Sequence, residues 1–170
     1  FNVYYVSIQN CIFFKYSVPM LLIQNCMKLY INQIKVSSKK MKYKYKVNYL
    51  TVFTFKNIRR LHIKNSIFKN VECLELFSIG MKCIAIAKTI FIVISCKSLF
   101  DLTIPLYNGS VVIWNCKFIN CVTVHDKALV NILQSNVDNY TGSNDLTHVD
   151  IVLNDTIFKR CHLGSGAALS

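Results

Sequence analysis

An eight-residue phrase recurs along the chain and constrains its fold more than any bulk property. Laid under one another, VSIQNCIF from Val6, LHIKNSIF from Leu61, VVIWNCKF from Val111 and IVLNDTIF from Ile151 share one pattern. Each reads aliphatic, any, aliphatic, any, Asn or Asp, then Cys, Ser or Thr, any, Phe. Weaker copies start at Leu21, Ile92 and Val130, and the starts at 92, 111, 130 and 151 lie 19, 19 and 21 residues apart. Periods of this size mark repeat architectures, and a spacing near 20 residues is expected to be one turn of a solenoid.

The pattern has a physical reading. Two aliphatic residues two apart point to one side of a short strand. The residue at Asn10, Asn25, Asn65, Asn115 and Asp155 then breaks the strand, because Asn and Asp tolerate left-handed backbone and bond to nearby peptide groups. These five are the expected structural corners. After the corner, the small residue and the Phe (Phe13, Phe68, Phe118, Phe158) resume an inward side. Stacked coils about 4.8 Å apart would align such residues into Asn and aromatic ladders. The competing reading is a β-sandwich whose strands end in Asn; the near-complete copies favour the solenoid.

The longer phrase VVIWNCKFINC, residues 111–121, resembles the repeats of right-handed parallel β-helix proteins, including the polymorphic outer membrane protein type. IFKRCHLGSGAAL, residues 157–169, is similar to the small-residue strand that follows the "FxxC" element in that group, and CVTVHDKALVNI, residues 121–132, is a poorer version. The likeness covers residues 61–170 and part of residues 1–23. It implies an all-β chain, a right-handed parallel β-helix or β-solenoid, forming one domain over residues 1–170. Residues 32–56 lack the pattern and are expected to form a basic insertion or irregular coil. Because the chain opens on Phe1 and stops within a repeat, while solenoid ends normally carry polar caps, we expect a processed chain or fragment, incomplete at both ends. On this likeness the strands 19 to 21 residues apart can also be successive faces of longer coils, which leaves the coil count open.

Charge is placed unevenly. Of 20 Lys and Arg and 8 Asp and Glu, residues 1–71 hold 13 of the bases and none of the acids. Lys39, Lys40, Lys42, Lys44 and Lys46, followed by Arg59 and Arg60, are candidate polyanion-binding residues, and Tyr43 and Tyr45 alternate with the lysines at strand period. A solvated loop or a lysine-guarded edge strand accounts for the same run. The longest uncharged stretch, 15 residues over 102–116, contains Pro105 and falls short of the roughly 20 apolar residues of a spanning helix. No transmembrane helix is therefore expected.

The eight cysteines show no CxxC and no zinc-type Cys/His spacing. Cys11, Cys26 and Cys116 share a repeat position with Ser66 and Thr156, which points to small inward thiols; a disulfide between neighbouring coils is the alternative. Asn108, Asn139 and Asn154 head glycosylation sequons. Polysaccharide-cleaving β-helices need clustered or paired carboxylates, whereas Glu72, Glu75, Asp101, Asp126, Asp138, Asp145, Asp150 and Asp155 are scattered. His62, His125, His148 and His162 have no nucleophile beside them. No catalytic residue, metal or cofactor is expected. The expected role is a non-enzymatic extracellular or cell-surface module for structure, adhesion, or recognition of glycans or surface proteins, with anionic polymers as partners of the basic segment. The alternative is a fragment of a polysaccharide lyase or hydrolase of β-helix fold; a nucleic-acid or membrane-surface binder is a third reading.

Overall fold

The computed structural model describes residues 3–14, 20–37, 51–104, 109–123, 130–134 and 149–162. Within them the chain is all-β, with thirteen strands and no helix. The strands are β1 (Val3–Gln9), β2 (Ile12–Phe14), β3 (Leu21–Asn32), β4 (Lys35–Ser37), β5 (Phe53–Lys64), β6 (Ile67–Ala87) and β7 (Ile90–Ile104). They continue with β8 (Gly109–Trp114), β9 (Lys117–Ile119), β10 (Val122–Thr123), β11 (Val130–Gln134), β12 (Val149–Asn154) and β13 (Ile157–Lys159). All pairings between them are parallel, which fits a β-solenoid.

The coils are read from the register. Val6 pairs with Leu29, Leu29 with Leu61, Leu61 with Ile84, Ile84 with Val111 and Val111 with Ile151. Six coils stack on this face I, at intervals of 23, 32, 23, 27 and 40 residues. The 20-residue period is therefore corrected: it measured steps between different faces of longer coils. Face II joins Phe13, Val36, Phe68, Phe91, Phe118 and Phe158. Face III joins Leu21, Phe53, Phe77, Phe100 and Val130. The weak copies at Leu21 and Val130 begin on face III, and that at Ile92 straddles a corner. The face I copies that sequence comparison missed are LYINQIKV from Leu29 and IAIAKTIF from Ile84. Of the segment 32–56, residues 32–37 and 51–56 lie in coils, and 38–50 fall outside the described residues.

Left-handed backbone turns the chain at three fixed places. Between faces I and II stand Asn10, Gln33, Asn65, Lys88, Asn115 and Asp155, with φ from 48° to 55°. Asn70, Val93, Asn120 and Arg160 follow face II, and Asn25 and Asn57 precede face I, all near 50° to 55°. The Asn side chains also join coils: Asn65 Nδ2 donates to Asn32 Oδ1 and Asn57 Nδ2 to Asn25 Oδ1, both at 3.0 Å. Directly after the first corner, Cys11, Ser66, Thr89, Cys116 and Thr156 each donate to the carbonyl two residues back, at 2.9–3.4 Å. That position thus selects a short donor as well as a small side chain. Ile34, which has no donor, fills it in coil 2 and gives its backbone N–H to Ser66 Oγ at 3.3 Å.

The interior consists of two phenylalanine ladders set at right angles. On face II, Phe68, Phe91, Phe118 and Phe158 stack with centroids 5.1, 4.9 and 4.7 Å apart. Along face III, Phe53, Phe77 and Phe100 stack at 5.1 and 4.9 Å. The ladders meet edge to face, Phe68 on Phe77 at 77° and Phe91 on Phe100 at 86°, the offset and T-shaped geometries that the ring quadrupole favours. Face I closes the core with Leu29, Ile31, Leu61, Ile63, Ile84, Ile86, Val111 and Ile113, all buried.

Two outcomes test this account. Phe91→Ala, which removes a ring stacked on both sides and abutting a third, is expected to cost about 3–5 kcal/mol, read as a lowered denaturation midpoint; a loss under about 1 kcal/mol would mean that the ladders do not carry the core. Val93 holds φ 52°, where a β-branched residue is strained and its column otherwise carries Asn or Arg. Val93→Asn is expected to stabilise by about 1 kcal/mol, and an unchanged or lower midpoint would refute strain at this corner.

Candidate functional site

The outward side of face I concentrates the described surface chemistry. Alternation along each strand turns Leu61 and Ile63 inward and leaves Arg60, His62 and Lys64 outward. Register then aligns columns up the stack: Tyr5, Lys28, Arg60, Cys83, Ser110 and Asp150; Ser7, Tyr30, His62, Ala85, Val112 and Val152; Gln9, Asn32, Lys64, Ala87, Trp114 and Asn154. Coil 3 is the cationic one. Its Lys56, Arg59 and Arg60 are exposed, and Arg59 and Arg60 both face solvent between the buried Ile58 and Leu61. Coil 4 presents only Cys83, Ala85 and Ala87 in these columns.

Trp114 stands on the far side of that low strip, 40% exposed. Its indole Nε1 donates to Asp155 Oδ2 at 3.3 Å, and Lys88 Nζ lies 5.7 Å from its ring centroid, within the range of a cation–π contact. Among the described residues, apart from Val93, the other exposed large apolar side chains lie on the first two coils and the last: Val3, Tyr4, Tyr5, Ile12, Phe14 and Leu22, then Ile151, Val152, Leu153, Ile157 and Phe158. A shallow depression on coil 6 is lined by Leu153, Asp155, Thr156, Ile157 and Phe158. It gathers one carboxylate and no second acid or base.

Of the candidate polyanion-binding residues, Arg59 and Arg60 belong to this face, and Lys39, Lys40, Lys42, Lys44 and Lys46 lie outside the described residues. Asn154 is exposed, while Asn108 and Asn139 lie outside. Lys28, Lys88 and Trp114 were not singled out by sequence reading. The signal that brings them together is the coil register, since a column joins residues 23 to 40 positions apart.

Reactive chemistry is weakly provided. Among the described residues no three His, Cys, Asp or Glu side chains gather where they could hold a metal ion. None of the eight cysteines forms a disulfide. Burial raises the Cys116 pKa; burial, with Cys161 adding to it, pushes that of Cys121 up to about 12. Both therefore stay thiols, poor nucleophiles at neutral pH. Glu72 is exposed, and its neighbour in sequence, Glu75, lies further along the same strand. No helix among the described residues is long and apolar enough to cross a membrane.

His62 is the titratable group within the cationic face. Partial burial lowers its pKa below the usual 6.5, and the Arg60 charge lowers it further. Folding thus disfavours the imidazolium: stability is complete above pH 6.5 and declines as pH falls through the lowered folded-state value. NMR titration is expected to place the His62 midpoint below 6.5, with Arg60→Gln raising it part of the way. A midpoint at or above 6.5 would show that neither burial nor Arg60 acts on the ring.

No protein-family model, no curated protein and no solved structure matches this chain.

Proposed function

We propose that this chain is a right-handed parallel β-helix, akin to polymorphic outer membrane protein repeats, that serves as a non-enzymatic recognition module outside the cell or at its surface. Its partners on this reading are glycans or surface proteins. The right hand follows from the general rule that a crossover between parallel strands of one sheet is right-handed in about 98% of cases. The extracellular setting follows from the repeat resemblance, with which the exposed sequon at Asn154 is compatible.

One observation carries the functional reading. Inward rows stay apolar through the stack, whereas each outward column passes through several residue classes. The column Lys28, Arg60, Cys83, Ser110, Asp150 runs from cation through small residues to anion, while the adjacent inward row Leu29, Leu61, Ile84, Val111, Ile151 stays aliphatic. Surface chemistry is thereby uncoupled from fold, which is what a display scaffold requires. A catalytic β-helix would instead converge carboxylates on one place.

The test is an immobilised panel of neutral and charged glycans, with the length of each soluble polymer followed by size-exclusion chromatography. Saturable retention on at least one glycan with unchanged polymer length is expected. Shortening of any polymer would overturn the non-enzymatic reading in favour of a lyase or hydrolase, and retention on none would overturn glycan recognition.

A further inference from the structure

We propose that the outward side of face I, over coils 2 to 5, binds a linear anionic polysaccharide, held between the cations of coil 3 and the indole of Trp114. The inference rests on the recognition reading above and names its ligand class and its site. Lys28 on coil 2, Arg59, Arg60 and Lys64 on coil 3, and Lys88 at the corner of coil 4 supply positive charge. Among the described residues of this face no carboxylate occurs before Asp150 in coil 6. Arg supplies a planar fork suited to carboxylate and sulfate oxygens, and two Arg side by side can each take one bidentate partner.

Shape favours one extended chain. Cys83, Ala85 and Ala87 form a low strip along the strand direction, bounded by the long side chains of coil 3 and by Ser110, Val112 and Trp114 of coil 5. Coils two apart are separated by roughly 10 Å. That spacing suits the width of a single polymer strand better than a nucleic-acid duplex, which is broader than its own major groove of about 12 Å. Trp114 then distinguishes between single strands. Its ring offers an apolar surface to the C–H face of a sugar, Lys88 lies beside that ring, and Asp155 accepts from the indole edge and keeps further lone pairs for hydroxyls. A single DNA strand carries no run of hydroxyl donors and would meet Asp155 as a like charge. A polysaccharide can put hydroxyls there and its anionic groups on Arg59, Arg60 and Lys64.

The whole chain is tested by calorimetry at low salt against heparin, neutral dextran and a single-stranded oligodeoxynucleotide of matched length. Heparin is expected to bind, more weakly as salt rises, with dextran silent and the oligonucleotide weaker. The triple change Arg59→Ser, Arg60→Ser, Lys64→Ser is expected to weaken heparin binding roughly tenfold or more. Trp114→Ala is expected to weaken it less and without changing its salt dependence, because the stacking contact carries no charge. Lys42→Ser with Lys44→Ser and Lys46→Ser is expected to leave most of the binding intact. Circular dichroism checks that each variant keeps its β spectrum; if the triple variant does not, the exposed charge reversal Arg60→Glu takes its place. Heparin binding unchanged by the face I variants, loss of binding with the Lys42, Lys44, Lys46 variant instead, or tighter binding of the oligonucleotide would each overturn the site. Binding to dextran without heparin would overturn the anionic ligand class and leave glycan recognition standing, whereas binding to no polymer in this set or the wider panel would remove both.

Discussion

A parallel stack can grow only if every coil turns at the same places, and here the turn is a single residue in left-handed backbone. That conformation costs an ordinary L-residue roughly 1–2 kcal/mol, so Asn stands at seven of the twelve non-glycine positions with positive φ among the described residues. The neighbouring coil supplies compensation. The amide of Asn10 reaches the carbonyl of Asn32, that of Asn65 reaches Ala87 and that of Asn115 reaches Asn154, at 2.9–3.2 Å. The corner therefore continues the inter-coil ladder, and strand pairing runs through the bend with little interruption. Everything inward of the corners inherits its alignment from them.

Once the corners are in register, the side chains have little freedom. A ring at Phe91 must lie one coil spacing from Phe68 and from Phe118, which is also the distance at which offset aromatic rings attract. Coil length is free by contrast. Intervals from 23 to 40 residues separate the face I segments, and the described faces keep their register throughout. This separates the demands on the sequence: stacked positions are fixed by neighbours above and below, while connecting stretches and outward columns are not.

That separation explains what could be read without the structure. The copies at Val6, Leu61, Val111 and Ile151 are visible because each retains both the corner Asn or Asp and the Phe. The copy at Leu29 has Gln33, Ile34 and Val36 at the three diagnostic positions, and that at Ile84 has Lys88 at the corner. Both keep the geometry while losing the signature, since backbone φ and inward volume are what the stack selects, and residue identity only follows. Phe53, Phe77 and Phe100 went unread for a different reason: they stand in FTF, LFS and LFD, with no shared corner residue to align them. The charge asymmetry of the chain was legible as a count but not as a place. Arg59 and Arg60 are neighbours of Lys28 and Lys64 only through the register, and Trp114 joins them only because Ala85 and Ala87 intervene.

The low strip on coil 4 has a structural cost that bears on its meaning. Exposed strand positions are ordinarily filled by β-branched or long polar residues, which cover the pleat and gain cross-strand contacts of roughly 0.2–1 kcal/mol each. Cys83, Ala85 and Ala87 forgo those contacts at three successive outward positions, in the middle of the stack. Nothing in the packing requires this, since the inward residues Ile84 and Ile86 fill the core there as Leu61 and Ile63 do one coil earlier. Coil 3 beside it carries long cationic side chains and coil 5 a tryptophan, so the strip is bounded on both sides by residues of opposite habit. A surface selected for stability alone would fill it; one that must admit a polymer strand would keep it open.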